Sequence, residues 1–412
     1  MLIWEKPVKR TVSILGLVVV LVFTPIFGAE LVNATTSPPK TMTAFVDIVD
    51  QRVREALLTN EKDYICVDLS DLNFDYDQEQ AQIYQLEYLL PYFCDDIQLA
   101  GTYIVEGVYD HLIIQKTIPT TEVKSYIKSI DAEIDVIMDV ANVVTTKERK
   151  LLVFHDYIVQ NTAYDMGYYT DNIADESYYT FGVLMNNKAI CNGYANCFQY
   201  LCLKTGIDCQ FVCNEAESHA WNMVKIGKSY YHVDVTWDDP VPDILGRVSH
   251  KYFLLSDSQI RGDGHSSWDD NLLKCTSTKY TNRYWRIVTS PVVFTSKYAY
   301  FVENANIIRR NLENGTEKAV IKGLGVWYIY GSNSYYSDSY SGLFLHDNSL
   351  YFNTAKKIKK YSLRTGRVTT VVKPSVAGSL YGLAKDGNKI KYVVKKDYID
   401  EGNIKTSKKR LP

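Results

Sequence analysis

The sequence predicts an α+β chain in which a helix bearing a cysteine packs on an antiparallel sheet, followed by a C-terminal all-β repeat domain. Three observations carry this. Helical patterns over 145–164 and 192–205 precede three extended runs at 209–214, 219–226 and 230–237. The last two runs are separated in the pattern by a Gly-first turn, Gly227-Lys228, the signature of a two-residue hairpin. After Trp285 the text changes to short alternating strands rich in Tyr, Val and Ile, punctuated by Asn-Gly, Thr-Gly and Asp-Gly turns.

A length of 412 residues exceeds one ordinary domain and predicts two or three. With 46% apolar and 23% charged residues, the composition excludes a disordered or membrane-embedded chain. The formal net charge is -3 with no long basic run, which gives no electrostatic reason to expect nucleic acid.

Residues 1–34 read as a signal peptide. Lys6, Lys9 and Arg10 form a positive start, an almost unbroken apolar run covers 12–27, and Val32 and Ala34 fit cleavage after Ala34. The run is shorter than the ~20 residues of a spanning helix and holds Pro25, so a cleavable signal is favoured over a membrane anchor. The expected location is therefore secreted or cell-surface. Residues 35–41 read as a polar linker, and 42–142 as an N-terminal α+β scaffold. In that scaffold Phe45, Ile48, Val49 and Val53 recur at helical spacing, 102–109 reads as strand, and 125–140 is helical again.

The next unit, 143–280, holds the residues with chemistry. Its first helix has Thr146 as cap and an apolar face including Leu151, Leu152, Phe154, Ile158 and Val159. The second has Ala195, Phe198, Leu201 and Cys202 on one stripe and stops at Gly206. Residues 285–398 repeat internally: Tyr300-Phe301, Ile307, Leu312 and Gly315 match Tyr351-Phe352, Ile358, Leu363 and Gly366 at one offset of 51. That period is propeller-like, with a third, degenerate unit marked by 390–394. Residues 399–412 read as a basic polar tail.

Eight cysteines in an exported chain invite disulfides, but spacing argues against them in the central cluster. Cys209 and Cys213 on one strand would lie ~13 Å apart, beyond bridging reach. Cys197 and Cys202 point apart on their helix, and buried free thiols are expected. A Cys66–Cys94 bridge stays open. The intervals between cysteines lack a zinc knuckle, so neither metal nor other cofactor is expected.

Cys191, His219 and Asp234 form the candidate catalytic set: a nucleophile, a base and an acid that orients the base. A thiol needs help to become a thiolate at neutral pH, and Cys191 sits where a helix begins, with its dipole and free N–H groups. If Ile226 pairs with Ser229, opposed residues sum to 455, which sets His219 against Thr236 and Trp221 against Asp234. His219 and Asp234 then share one face as diagonal neighbours, and a one-residue slip would separate them. Tyr194, Trp221, Asn222 and Trp237 are expected around the pocket, with Asp238 the alternative acid. His155 and His232 are read as structural and His265 as exposed.

The motifs Cys-Asn-Gly-Tyr-Ala, Ser-His-Ala-Trp-Asn and Tyr-His-Val-Asp-Val-Thr-Trp-Asp-Asp-Pro resemble those of the transglutaminase-like superfamily, in its bacterial secreted branch. His155-Asp156-Tyr157 and Tyr164-Asp165 resemble that branch's leading helix, and the resemblance covers about 130–260. It implies a papain-like core with Cys191 as nucleophile, His219 as general base and acid, and Asp234 as orienting acid. The C-terminal repeats are similar to propeller-like modules often attached to such domains.

The expected function is exported, thiol-dependent acyl transfer on peptide or side-chain amides. Hydrolysis by a cysteine protease or amidase is favoured over glutamine cross-linking, because water is plentiful outside the cell and no acceptor-lysine site is legible. The expected substrate is a peptide, protein or cell-wall peptide, with a cell-surface ligand for the repeats. The competing reading is a non-catalytic cell-surface binding protein.

Overall fold

Phe45, Val49 and Val53 lie on one stripe, and they bury that face of helix α1, Met42–Thr59, which Thr41 caps from its hydroxyl. The computed structural model describes residues 41–72, 86–105, 108–214, 216–262, 265–268, 273–325, 327–328, 335–336, 340–374, 378–396, 403–407 and 410–411. The expected signal peptide and residues 35–40 of the linker lie outside these. Among the described residues no helix is long and apolar enough to cross a membrane.

Strands β1 (Tyr64–Asp68), β2 (Ile97–Val105) and β3 (Val108–Lys116) form an antiparallel sheet in the order β1-β3-β2. The expected strand over 102–109 thus divides between the end of β2 and the start of β3. Helices α2 (Thr120–Ala141) and α3 (Lys147–Asn161) follow. Helix α4, Cys191–Lys204, is buried on nearly every side, as a helix in the middle of a layered core must be. It packs on α1 and α3 and on an antiparallel sheet of β4 (Cys209–Asn214), β5 (His219–Ile226), β6 (Ser229–Val233) and β7 (Phe253–Leu255). The core is therefore a cysteine-bearing helix laid against an antiparallel sheet.

Beyond it come two four-stranded antiparallel meanders. The first runs Val293–Phe294, Tyr298–Glu303, Asn306–Asn311, Glu317–Ile321; the second Leu343–His346, Ser349–Asn353, Ile358–Ser362, Val368–Val372. The repeat extends to a flaw in the pairing, because a register shift falls at Ile307/Ile308 in one and at Ile358/Lys359 in the other. A third sheet joins Ser379–Asp386, Lys389–Lys395 and Asn403–Thr406. The last strand falls in the stretch read as a polar tail, where Ile404 faces Val393 across the ladder.

One apolar cluster runs from Phe45 through Phe198 to Phe294 and Phe301, so the first repeat sheet shares the core of the helical region. Polar contacts repeat the connection: Arg149 on α3 donates to the Leu312 carbonyl at 2.8 Å, and the Arg247 guanidinium lies 4.6 Å over the Tyr340 ring. The net charge conceals a segregation. Residues 341–412 hold 16 Lys and Arg against five Asp and Glu, a charge of +11, which leaves -14 on the rest of the chain.

Core and repeats approach closely at Gly382, where a Cβ would lie 1.9 Å from the Leu245 carbonyl oxygen. No side chain fits, so Gly382→Ala is expected to destabilise the chain by about 1–3 kcal/mol, the usual range for overpacking. A thermal midpoint equal to that of the unsubstituted protein would contradict the docking.

Candidate active site

Cys191 is the first residue of α4, and it follows Ile190, whose extended backbone offers no side-chain cap. The first N–H groups of such a helix have no carbonyl partner within it. They face the same end as the sulfur, and their dipoles favour negative charge there. Gly193 keeps this end compact, because a Cβ would lie 2.6 Å from the Ser177 carbonyl and 2.9 Å from the Ala189 methyl. A π-helical turn, Gly182–Asn186, leads into the segment. The thiol is almost buried, 3.9 Å from the Ser218 carbonyl and 3.6 Å from the Asn192 Oδ1.

The predicted hairpin register holds: Ile226 faces Ser229, Val224 faces Tyr231 and Asn222 faces Val233. The strand does not continue to Trp237. It ends at Val233, and Val235–Asp238 is a short helix capped by Asp234. An Asp followed by Val-Thr-Trp can satisfy a free N–H locally, and capping outcompetes the ladder at this point. The expected pairs His219–Thr236 and Trp221–Asp234 are therefore not made. Asp234 still reaches His219, whose Nε2 donates to Oδ2 at 2.7 Å, while Oδ1 accepts from Trp237 N–H at 3.0 Å.

With Nε2 committed to Asp234, Nδ1 is the nitrogen left over, and Cys191 is near enough to act on the charge of the imidazole. Burial alone would depress the His219 imidazolium, but the charges of Asp234 and Cys191 outweigh it and push it up to about 10. Asp234 is fully buried, which raises a carboxyl; His219 and His265 reverse that and hold it well below the usual range.

His265 was not legible as part of this group. It is fully buried rather than exposed, and its Nε2 donates to the same Asp234 oxygen at 2.7 Å. A loop of Gly, Ser and Asp has no periodicity from which such a contact could be read. Among the four residues expected at the pocket, Trp237 is 42% exposed, with its ring 5.6 Å from His219. The other three are buried: the Tyr194 hydroxyl bonds Asp239, Asn222 Nδ2 donates to the Ala195 carbonyl, and Trp221 Nε1 donates to His232 Nδ1. Trp221 also stacks on His219, with centroids 5.6 Å apart. Because an indole N–H can only donate, His232 carries its proton on Nε2, which donates to Asp257 at 2.9 Å.

Asp238, the alternative acid, belongs to a second buried network. It accepts from His155 Nε2 at 3.1 Å, Ser249 Oγ at 2.8 Å and Tyr252 N–H at 3.0 Å. His155 Nδ1 and His250 Nε2 both reach Asp156 Oδ1, and Val292 N–H reaches its other oxygen. This network ties α3 and the Asp234 turn to the start of the repeats. All eight cysteines are free thiols. Among the described residues, three groups hold ligand-type atoms within 4.8 Å of one another: His155-Asp156-His250, His219-Asp234-His265 and His232-Asp257-Cys275. In each, an imidazole already bonds the carboxylate, so hydrogen bonding accounts for the arrangement.

Residues 137–235, which include Cys191, His219 and Asp234, match the family model described as the transglutaminase-like superfamily, and this stretch is a transglutaminase-like domain. Among solved structures, a crystal structure of a TGase shares 18% identity over 42% of this chain and 50% of that one, with a TM-score of 0.23. The chain thus spans about half the length of that TGase. A candidate cysteine protease from Cytophaga hutchinsonii shares 13% identity over 37% of this chain and 68% of its own, with a TM-score of 0.23. The extracellular domain of a candidate hybrid two-component system from B. thetaiotaomicron shares 9% over 44% and 18%, with a TM-score of 0.19. No curated protein matches the chain.

The second network sets a pH dependence. Burial works against a charged His155, but Asp156 and Asp238 outweigh it and raise it from 6.5 to about 9. A group raised on folding stabilises fully below its unfolded value and loses that stabilisation as the pH passes its folded value. The shift corresponds to a contribution on the order of 3 kcal/mol. The thermal midpoint is expected to fall between pH 7 and 10, and His155→Gln to lower it at pH 7 and flatten the fall. An equally steep fall in the variant would assign the effect elsewhere.

Proposed function

We propose that the chain is a thiol-dependent acyl-transfer enzyme acting on peptide or side-chain amides, with hydrolysis as its main outcome. One observation carries the reading: Cys191 stands at a buried helix start beside an imidazole whose other nitrogen is held by the buried Asp234 carboxylate. This gives the sulfur both influences that favour a thiolate, a neighbouring cation and a helix N-terminus.

In the proposed sequence the thiol proton passes to His219 Nδ1 and the sulfur attacks the amide carbonyl carbon. The N–H groups at the start of α4 receive the negative oxygen. Collapse breaks the carbon–nitrogen bond, and His219 gives its proton to the departing amine. Water then attacks the thioester and loses a proton to His219 as the thiol leaves, which releases the acid. An amine in place of water would give transamidation. Trp221 and Trp237 flank the imidazole, and Trp237 is the one that also meets solvent.

Export through the N-terminal segment would place this chemistry outside the membrane. The charge segregation supports a ligand for the repeats: an anionic polymer of the cell surface. Lys356, Arg364, Arg367, Lys373, Lys385 and Lys389 are exposed there. Among the described residues of that region, Val368 is the large apolar side chain exposed, so few anchors for a lipid interior are present there.

Iodoacetamide at pH 6 is expected to alkylate Cys191 selectively, as read from its tryptic peptide, and Cys191→Ala to abolish turnover. Loss of general acid–base catalysis in His219→Ala should lower kcat by roughly 10²–10⁴-fold. Unselective labelling would sink the enzyme reading in favour of a binding protein. A labelled glutamine peptide with and without added amine separates the two acceptors: release of ammonia without incorporation supports hydrolysis, and dominant incorporation refutes it.

A glycerol-phosphate polymer is expected to bind the full chain at low salt, with affinity falling steeply as salt rises. Absence of binding, or a clear preference for anionic vesicles or duplex DNA, would refute the surface-polymer assignment.

A further inference from the structure

The Asp234 carboxylate is shared. Its Oδ2 takes a proton from His219 Nε2 and another from His265 Nε2, both at 2.7 Å, while Oδ1 takes the Trp237 N–H. His265 is fully buried, its ring 4.3 Å from Trp237, 4.9 Å from Trp221 and 5.6 Å from Tyr252. Its Nδ1 has no hydrogen-bond partner among the described residues. The next residue, Ser266, bonds Glu217 through both its N–H and its hydroxyl, two positions before His219. One short segment therefore grips both the start of the strand that carries His219 and the carboxylate that holds it.

Space filling does not explain this. Any apolar ring would pack against the two indoles without an N–H directed at a buried carboxylate. Position 265 also lies outside the stretch 137–235 that matches the family model, so this chain supplies the contact from beyond its matched core.

We propose that His265 is a positioning residue of the site, which divides Asp234 Oδ2 with His219 and so sets how firmly Asp234 holds the His219 imidazolium. The inference rests on the catalytic reading given above. A donor on a carboxylate oxygen draws off part of its charge. Without the His265 N–H, Oδ2 acts on His219 alone, and His219 keeps its proton to higher pH. An imidazolium held too firmly is a poorer acid toward the departing amine and a slower base toward water. Among the described residues, the other titratable and charged groups facing this cluster are Cys191, His232 with Asp257, Tyr252, Arg261 and Glu217.

The test uses the full chain with His265→Phe, which keeps a ring and loses the N–H, and His265→Gln, whose amide N–H can take the place of Nε2–H. Alkylation of Cys191 by iodoacetate is followed across pH 5–11 on the Cys191 peptide. An anionic reagent is favoured while His219 is charged, so its alkaline limb reports that proton. His265→Phe is expected to move the limb up by about half a pH unit and to lower kcat about 3- to 10-fold with KM unchanged, a modest share of a general acid–base contribution. His265→Gln should restore both.

An unmoved limb in His265→Phe, or equal impairment in both variants, would overturn the inference while leaving selective labelling of the unsubstituted chain intact. Failure to label Cys191 in the unsubstituted chain would defeat the catalytic reading itself. Should His265→Phe not fold, His265→Asn replaces it, because its shorter amide cannot reach Asp234.

Discussion

A fully buried carboxylate at position 234 needs donors on both oxygens, and the local architecture answers that need. Water cannot supply them at a site without exposure, so the cost of burial falls on the protein's own N–H groups. The chain meets it by ending a strand at Val233 and turning at once into the helix Val235–Asp238, which brings the Trp237 N–H to Oδ1. Oδ2 is then free for imidazoles. The same residue caps a helix, stops a strand and holds the His219 imidazole, so the three roles cannot be separated by substitution.

This shared use explains where sequence reasoning succeeded and where it overran. Gly227-Lys228 fixes the hairpin because turn and register are coupled over a few residues, and the pairing of Ile226 with Ser229 follows. The alternation of Val233, Val235 and Trp237 then reads as more strand. Nothing in a period-two pattern records that an Asp prefers to cap. His219 and Asp234 meet nonetheless, through a turn rather than through a ladder. The repeats were legible for a similar reason: a 51-residue offset records local geometry twice, including the register shift at Ile307 and its counterpart at Ile358.

What stayed hidden is long-range and polar. His265 reaches Asp234 across 31 positions, and Asp156 reaches Val292 across 136. Such contacts carry no periodicity, because each depends on two backbones that meet only after folding. The expected pocket shows the same limit. Tyr194, Trp221 and Asn222 adjoin the motif residues in sequence, yet their polar groups are spent on Asp239, His232 and the Ala195 carbonyl. Of that group, Trp237 alone has a large solvent-exposed face, because the capping helix turns it outward.

The buried His155-Asp156-Asp238-His250 group adds a polar tie between the site and the repeats to the apolar core they share. Asp238 closes the helix that Asp234 opens, and it is bonded to His155 on α3. His155 is bonded to Asp156, whose second oxygen holds Val292 at the entrance to the first repeat sheet. Leu245, a few residues beyond that helix, lies against Gly382 in the third sheet. The turn that presents Asp234 is thus fixed from the helical layer on one side of the sequence and from the repeats on the other. Truncating the repeats would therefore release the segment that keeps Asp234 beneath His219. The transglutaminase-like stretch matched over 137–235 depends, in this chain, on residues well beyond it.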